Sequence, residues 1–256
     1  MSGVNGIGPG SNGYLYSALS SGKKIQTAAQ GASELAILQK QQRQIGGFDA
    51  GTQNLQSGKN ALNIADGAAA EITENLQRMR ELAVKAKNGT LSKDDRSYIQ
   101  SEIDGLKKGI GEIANRTNYN GVPLLNNEDG KVFKVASDAN GTAQSFSTVN
   151  ATLESLGIAD FDVTGDFDLK ALDDAMSKIS SGRATLGAQT NAFDASINYN
   201  STVTYNTTAS QSAMGDTEYG DYASKLQRQG ILDNVKLMMQ RRRMEEEEQR
   251  KLGLFQ

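Results

Sequence analysis

A heptad seam constrains this chain more than any other feature. Leu55, Leu62, Ala65, Ala69, Ile72, Leu76, Met79, Ala83 and Ala86 follow one another at spacings of 7, 3, 4, 3, 4, 3, 4 and 3. Small and aliphatic side chains at that period select a helix with one apolar edge, packed against other helices. A helix from Asn54 to Lys87 would extend on the order of 50 Å at about 1.5 Å per residue. Asn88-Gly89 ends the run, because Asn and Gly enter left-handed backbone at low cost.

A second seam follows at once. Ser92-Lys-Asp-Asp95 opens a helix: Ser92 can cap its first free N–H groups, and Asp94 and Asp95 suit the positive end of its dipole. Ile99, Ile103, Leu106, Ile110 and Ile113 line its edge at spacings of 4, 3, 4 and 3. The connection from Asn88 to Leu91 is short, so the two helices should pack antiparallel. Asn118 to Pro123 closes this pair, with Asn120-Gly121 as a turn signal. Further on, Asp166 or Asp168 opens a return helix. There Leu172, Ile179, Leu186 and Phe193 repeat at seven, with Met176 and Ile197 between them. The same register continues through Asn200, Thr207 and Met214 as the seam turns polar.

These signals predict a mainly α fold: an elongated antiparallel helical bundle, or coiled-coil rod, with a small β-hairpin insert. Residues 1–18 read as a flexible, Gly-rich N-terminal segment, with a short helical stretch at Tyr14 to Leu19. Residues 19–125 form the N-terminal arm of the rod, in which Leu35, Ile37, Leu38 and Ile45 are apolar and Gly46-Gly47 is the expected bend. Residues 126–165 carry two β-leaning runs, Lys131 to Val135 and Gln144 to Val149, around a turn at Ser137 to Gly141. Residues 166–215 are the return helix. Residues 216–256 form a charged C-terminal helix, in which Arg241-Arg-Arg243 is followed by Glu245 to Glu248.

Composition excludes most chemistry. The chain has no Cys and no His, which removes disulfides, thiolate metal sites, Cys nucleophiles and every Ser-His triad. Hydrophobic residues are 37% and aromatics 6%, with no Trp, which favours a thin core over a globular enzyme core. The net charge of −3 is too mild for a general nucleic-acid binder. No apolar run reaches the roughly 18 residues of a membrane span, and no Sec signal peptide is legible before Gly13. The Gly6, Gly8 and Gly10 run follows no strand, so it is not read as a phosphate loop. Asp160, Asp162, Asp166 and Asp168 lack the Gly and Glu spacing of a calcium loop. Asn-x-Ser/Thr occurs at Asn88, Asn115, Asn140, Asn150, Asn200 and Asn206, and reads as composition rather than as glycosylation. No catalytic, cofactor or metal residues are expected.

The residues resemble bacterial flagellin. Asn75-Leu-Gln-Arg-Met-Arg-Glu-Leu-Ala-Val84 and the following Lys-Ala-Lys-Asn-Gly-Thr90 are similar to that family's N-L-Q-R-x-R-E-L-A-V-x-A-x-N-G-T. Ile99-Gln-Ser-Glu-Ile103 and Thr117-Asn-Tyr-Asn-Gly-Val-Pro-Leu-Leu125 follow in family order. Leu19-Ser-Ser-Gly22 with Ile25 and Leu186-Gly-Ala-Gln-Thr-Asn-Ala-Phe193 resemble two further family boxes. Asp216 to Ala223 is a weaker match. The resemblance implies a helical rod capped by a hairpin, subunits stacked into an extracellular filament, and no enzyme activity. It implies flagellin subunits as partners, together with an export chaperone and an animal innate immune receptor. Arg78, Leu82 and Glu102 match the contact patch that such a receptor binds. The rod seam is Leu62, Ile72, Leu76, Met79, Ile99, Ile103, Leu106, Ile110, Leu172, Ile179, Leu186 and Phe193.

The ends depart from the family pattern. A Gly-rich stretch precedes Leu19 where the family has an inner-core helix, and Gln30-Gly-Ala-Ser-Glu34 replaces the usual Asp-Asp-Ala-Ala-Gly. The charged residues after Met239 replace a neutral C-terminus. Two readings therefore stand: a filament subunit with altered ends, or a non-polymerising, flagellin-derived binding protein that docks a partner through its charged C-terminal helix.

Overall fold

A computed structural model describes residues 10–127 and 131–253. The elements in chain order are α1 (Gly10–Ser21), α2 (Ala28–Ala86), α3 (Lys93–Arg116), β1 (Asn118–Tyr119), β2 (Val122–Pro123), β3 (Val132–Ala136), β4 (Ala143–Ser147), α4 (Leu153–Leu156), α5 (Lys170–Gly215) and α6 (Tyr219–Gly253). The mainly α fold with packed long helices and a small hairpin is the class expected from the seams. The chain divides into two units, residues 44–205 and residues 1–43 with 206–256.

In the larger unit, α2 is the shared wall. Leu55, Leu62, Ala65, Ala69, Ile72, Leu76, Met79, Ala83 and Ala86 are all fully buried along it. Ile103 and Ile110 of α3 and Leu172, Ile179, Leu186 and Phe193 of α5 face the same core. Ile99 and Leu106 are half-buried and pack at its margin. Three ion pairs record the direction of α5 against α2: Lys59 with Asp194, Asp66 with Arg183, and Arg80 with Asp173. The α2 number rises as the α5 number falls, so the two helices run antiparallel. Helix α3 begins at a complete capping box, in which Asp95 N donates to Ser92 Oγ and Ser92 N donates to Asp95 Oδ2.

Two hairpins sit on this framework. Asn120 and Gly121 have φ of 51° and 77°, so the turn joining β1 to β2 is of the primed type that two-residue hairpins favour. Strands β3 and β4 pair antiparallel from Val132–Ser147 to Ala136–Ala143. Their Phe133 and Phe146 rings stack at 4.9 Å, and Phe146 meets Phe193 edge-on at 5.9 Å. Asn127, only 8% exposed, donates to Leu124 O and Thr148 Oγ1 and ties the second hairpin's exit to the end of the first. The connector after α4 is pinned from α3 and from the residue that follows α2: Gln100 accepts from Val163 N at 2.8 Å, and Lys87 Nζ donates to Phe167 O.

Gly46 and Gly47 do not bend the helix. Helix α2 runs through both, and its one non-helical residue is Gly31. Instead Gly47 and Gly51 admit the β3–β4 turn, and Gly58 admits the Phe193 ring. A Cβ on Gly47 would lie 2.5 Å from Ala139 Cβ, one on Gly51 would collide with the Ser137 carbonyl, and one on Gly58 would lie 2.6 Å from Phe193 Cε2.

In the smaller unit, α1 packs on the start of α6. Helix α1 takes in residues 10–13 ahead of the helical stretch expected at Tyr14 to Leu19, and residues 1–9 lie outside the described residues. The Tyr14 hydroxyl donates to Lys24 O at 2.9 Å and lies 3.1 Å from the Tyr222 hydroxyl. Lys24 N donates to Gly215 O and Thr217 N donates to Gly22 O, both at 2.8 Å. This antiparallel bridge clasps the α1–α2 junction to the α5–α6 junction.

Candidate functional site

The Arg78, Leu82 and Glu102 patch is built from two helices. Helix α2 sets Arg78 and Leu82 one turn apart, and the capping box fixes where α3 starts and so where Glu102 points. Arg78 Nε and Nη2 donate to Glu102 Oε1 at 3.0 and 2.7 Å, and Nη1 donates to Glu81 Oε2 at 3.1 Å. The hydrogen bond from Glu102, then that from Glu81, holds the guanidinium proton more tightly than usual. All three charged side chains remain open to water, with Arg78 43% and Glu102 47% exposed. Leu82 differs: it is 3% exposed and belongs to the core. The structure thus brings Arg78 and Glu102 together on the surface and turns Leu82 inward beneath them.

An open groove of about 420 Å³ lies between α2 and the two hairpins, bordered by Asn54, Gly58, Tyr119, Val122, Phe133 and Phe146. Lys134 and Tyr119 are the titratable groups on its wall, so it offers no acid–base pair. The acidic run after α4 is used locally: Asp162 accepts from Thr164 N and Oγ1, and Asp168 accepts from Lys170 N. The Thr164 hydrogen bonds hold the Asp162 carboxyl below the usual carboxylate range. Among the described residues, no group of three or more Asp, Glu, His or Cys side chains could hold a metal ion. No helix among them is long and apolar enough to cross a membrane.

Helix α6 carries a run of exposed apolar side chains. Ile231, Leu232, Val235, Leu237, Met238 and Met239 are between 43% and 66% exposed. Residues 241–250 that follow are exposed throughout.

Sequence reasoning did not find the ion pairs between α2 and α5, because each joins residues more than 90 positions apart. The shelf of Gly47, Gly51 and Gly58 was legible in principle. These glycines stand four and seven apart, in step with one helix face.

Residues 14–129 match the family described as bacterial flagellin N-terminal helical region. The flagellin of Bacillus subtilis (strain 168) is 34% identical over 261 residues, covering 86% of this chain and 85% of that protein. The flagellar filament 31.3 kDa core protein of Treponema maltophilum is 28% identical, covering 78% and 77%. The crystal structure of Bacillus cereus flagellin superposes with a TM-score of 0.52 at 31% identity, covering 58% of this chain and 88% of that one. A putative flagellar hook-associated protein from Vibrio parahaemolyticus, at 16% identity, shares the fold with a TM-score of 0.58, covering 73% and 98%.

Proposed function

The chain belongs to the bacterial flagellin family, and from that premise we propose that it is a structural subunit of the flagellar filament, assembling with other flagellin subunits by helix packing. It is not an enzyme. The observation that carries this reading is the reach of the likeness, which runs along most of this chain and most of the Bacillus subtilis flagellin. The fold agrees with it: its core is a seam of aliphatic side chains between long helices. Nothing favours the alternative of a non-polymerising docking protein.

The test is polymerisation. Purified chain is mixed with and without filament seeds, pelleted, and imaged by negative-stain electron microscopy. Filaments, alone or grown from seeds, are expected. Persistent monomer under both conditions would overturn the reading.

Finer parts of the reading rest on the family. The subunit leaves the cell through the flagellar export channel, with an export chaperone as partner, and the absence of Cys suits passage as an unfolded chain. The Arg78–Glu102 face over Leu82 is a contact patch for an animal innate immune receptor. Its support is that both charged groups are exposed and fixed side by side. Arg78→Ala and Glu102→Ala should each lower signalling in receptor-bearing cells without lowering helix content; unchanged signalling would remove the patch.

A further inference from the structure

The α2–α3 connection carries an Asn-Gly pair that the fold leaves chemically open. An asparagine side-chain amide can be attacked by the backbone nitrogen of the next residue, and glycine, lacking a Cβ, hinders that attack least. Three Asn-Gly pairs follow α1: Asn88-Gly89, Asn120-Gly121 and Asn140-Gly141. The fold holds each of them differently.

At Asn140 the nucleophile is occupied. Gly141 N donates to Asp138 O at 3.2 Å, and Asn140 N and Thr142 N both donate to Asp138 Oδ1 at 2.9 Å. At Asn120 the backbone is held. Both turn residues have positive φ, and the Tyr119–Val122 pair closes the turn around them. Joining Asn120 Cγ to Gly121 N would need a rotation of the Asn120 backbone, which the closed turn opposes.

Asn88 has neither restraint. Residues 87–90 are exposed, and among the described residues Gly89 N donates to no acceptor. A Cβ on Gly89 would meet nothing within 4 Å, so its peptide has room to turn. Thr90 N and Thr90 Oγ1 donate to Asn88 Oδ1 at 3.1 and 2.9 Å. This bonding folds the side chain back over the Gly89 peptide. It also sets two donors on the oxygen that gains negative charge when Cγ is attacked, and fixed donors matter most where charge develops.

We propose that Asn88 is a self-modifying site: in water the folded chain converts it to aspartate and isoaspartate, with Thr90 polarising its amide. Gly89 N attacks Asn88 Cγ, and the new C–N bond closes a succinimide ring. The Cγ–Nδ2 bond breaks, and Nδ2 leaves as ammonia, taking up the proton that Gly89 N gave up. Water then adds to either ring carbonyl. Cleavage of one ring C–N bond gives aspartate; cleavage of the other gives isoaspartate, whose backbone is lengthened by a carbon. Either product sets a negative charge just beyond the C-terminal end of α2, where the helix dipole disfavours it. Leu91 N donates to Asn88 O at this corner, so conversion also disturbs the link into α3. The chemistry lies within one chain and does not depend on assembly.

Purified full chain aged at mildly alkaline pH tests it. Peptide mapping by mass spectrometry, with fragmentation that separates aspartate from isoaspartate, reads the three asparagines together. Asn88 should convert about tenfold faster than Asn120 or Asn140, a barrier difference of about 1.4 kcal/mol. Hydroxylamine, which cleaves succinimides, should cut the aged chain after Asn88. In concentrated urea the three should convert at similar rates, since the preference belongs to the fold. Thr90→Ala should slow Asn88 about fivefold, the worth of one net hydrogen bond, and Thr90→Ser should restore the rate. Asn120 and Asn140 should keep their rates in both variants, which shows that the fold is intact. Conversion of Asn88 no faster than the other two in the folded chain would overturn the proposal. So would a preference that persists in urea, or an Asn88 rate unmoved by Thr90→Ala.

Discussion

The side-chain amide of Asn200 on α5 donates to the Ser137 carbonyl at 2.7 Å, from a residue only 2% exposed. The β3–β4 turn is thereby fastened to α5 at the point where the return seam becomes polar. Asn200 continues the heptad of Leu186 and Phe193, and its polarity answers a backbone group rather than water. Asn200→Ala should cost about 1–3 kcal/mol, the range for leaving a buried acceptor without its donor. Asn198→Ala, two residues away and less enclosed, should stay within about 0.5 kcal/mol. Urea midpoints of the two variants check this; equal midpoints would mean that the carbonyl finds another donor. A glycan on Asn200 should also be absent, since its side chain is engaged and enclosed.

The proposed receptor patch combines one core residue with two surface ones, and substitutions should separate them. Leu82→Ala opens a cavity in the bundle and should cost about 2–5 kcal/mol. Arg78→Ala and Glu102→Ala break only an exposed, solvent-screened ion pair and should cost far less. Thermal unfolding of the three variants should rank them in that order. If Leu82→Ala melts as the wild type does, the leucine adds nothing to the core, and a direct receptor contact becomes the better account of its place in the patch.

The positions of Leu62, Ile72, Leu76, Ile103, Ile179 and Phe193 were legible because a seven-residue repeat survives any choice of partner helix. Leu82 and Ala61 were not, since a strict heptad seam describes contact along one line. Helix α2 meets α3 as well as α5, so its apolar face is wider than two positions per heptad. The break at Gly31 rather than Gly46 was also hidden. Gly46-Gly47 reads as the weak point in isolation, and it is the arrival of the β3–β4 turn, a contact across more than 80 residues, that gives Gly47 and Gly51 a packing role. The Arg78–Glu102 pair could be anticipated from the resemblance but not from periodicity, which says nothing about which charges on neighbouring helices meet.

Three carboxylates hold local turns, and acid should release them in a defined direction. Asp95 accepts from the Ser92 hydroxyl and the Ser92 N–H, Asp138 is bonded by Thr142, and Asp162 by Thr164; each is held below the ordinary carboxylate value. A depressed folded value means that the stabilisation is present above the unfolded value, near 3.9 for Asp, and is lost as pH falls through the folded one. The start of α3 should therefore loosen only below about pH 4. Carboxyl titrations followed by NMR should give midpoints under the ordinary value for all three. Ser92→Ala should raise the Asp95 midpoint and leave that of Asp138 in place. An Asp95 midpoint at or above the ordinary value would show that the capping box does not persist in solution.

Gly51 and Gly67 lie in the same helix and should respond oppositely to the same substitution. Helix propensity alone favours Ala over Gly by about 0.8–1.0 kcal/mol. At Gly67 a Cβ meets nothing within 4 Å, so Gly67→Ala should stabilise by up to that amount. At Gly51 the new methyl would run into the Ser137 carbonyl and its neighbouring backbone, which cannot rotate aside as a side chain could. Overpacking of this kind costs about 1–3 kcal/mol, enough to outweigh the propensity gain. Gly51→Ala should therefore destabilise, and it should do so by lifting the β3–β4 turn from α2 and straining the Asn200 hydrogen bond to Ser137. Combining Gly51→Ala with Asn200→Ala should then cost less than the two single changes added together, because both act on the same carbonyl. Strict additivity in a double-mutant cycle would mean that the turn settles on α5 independently of its approach to α2.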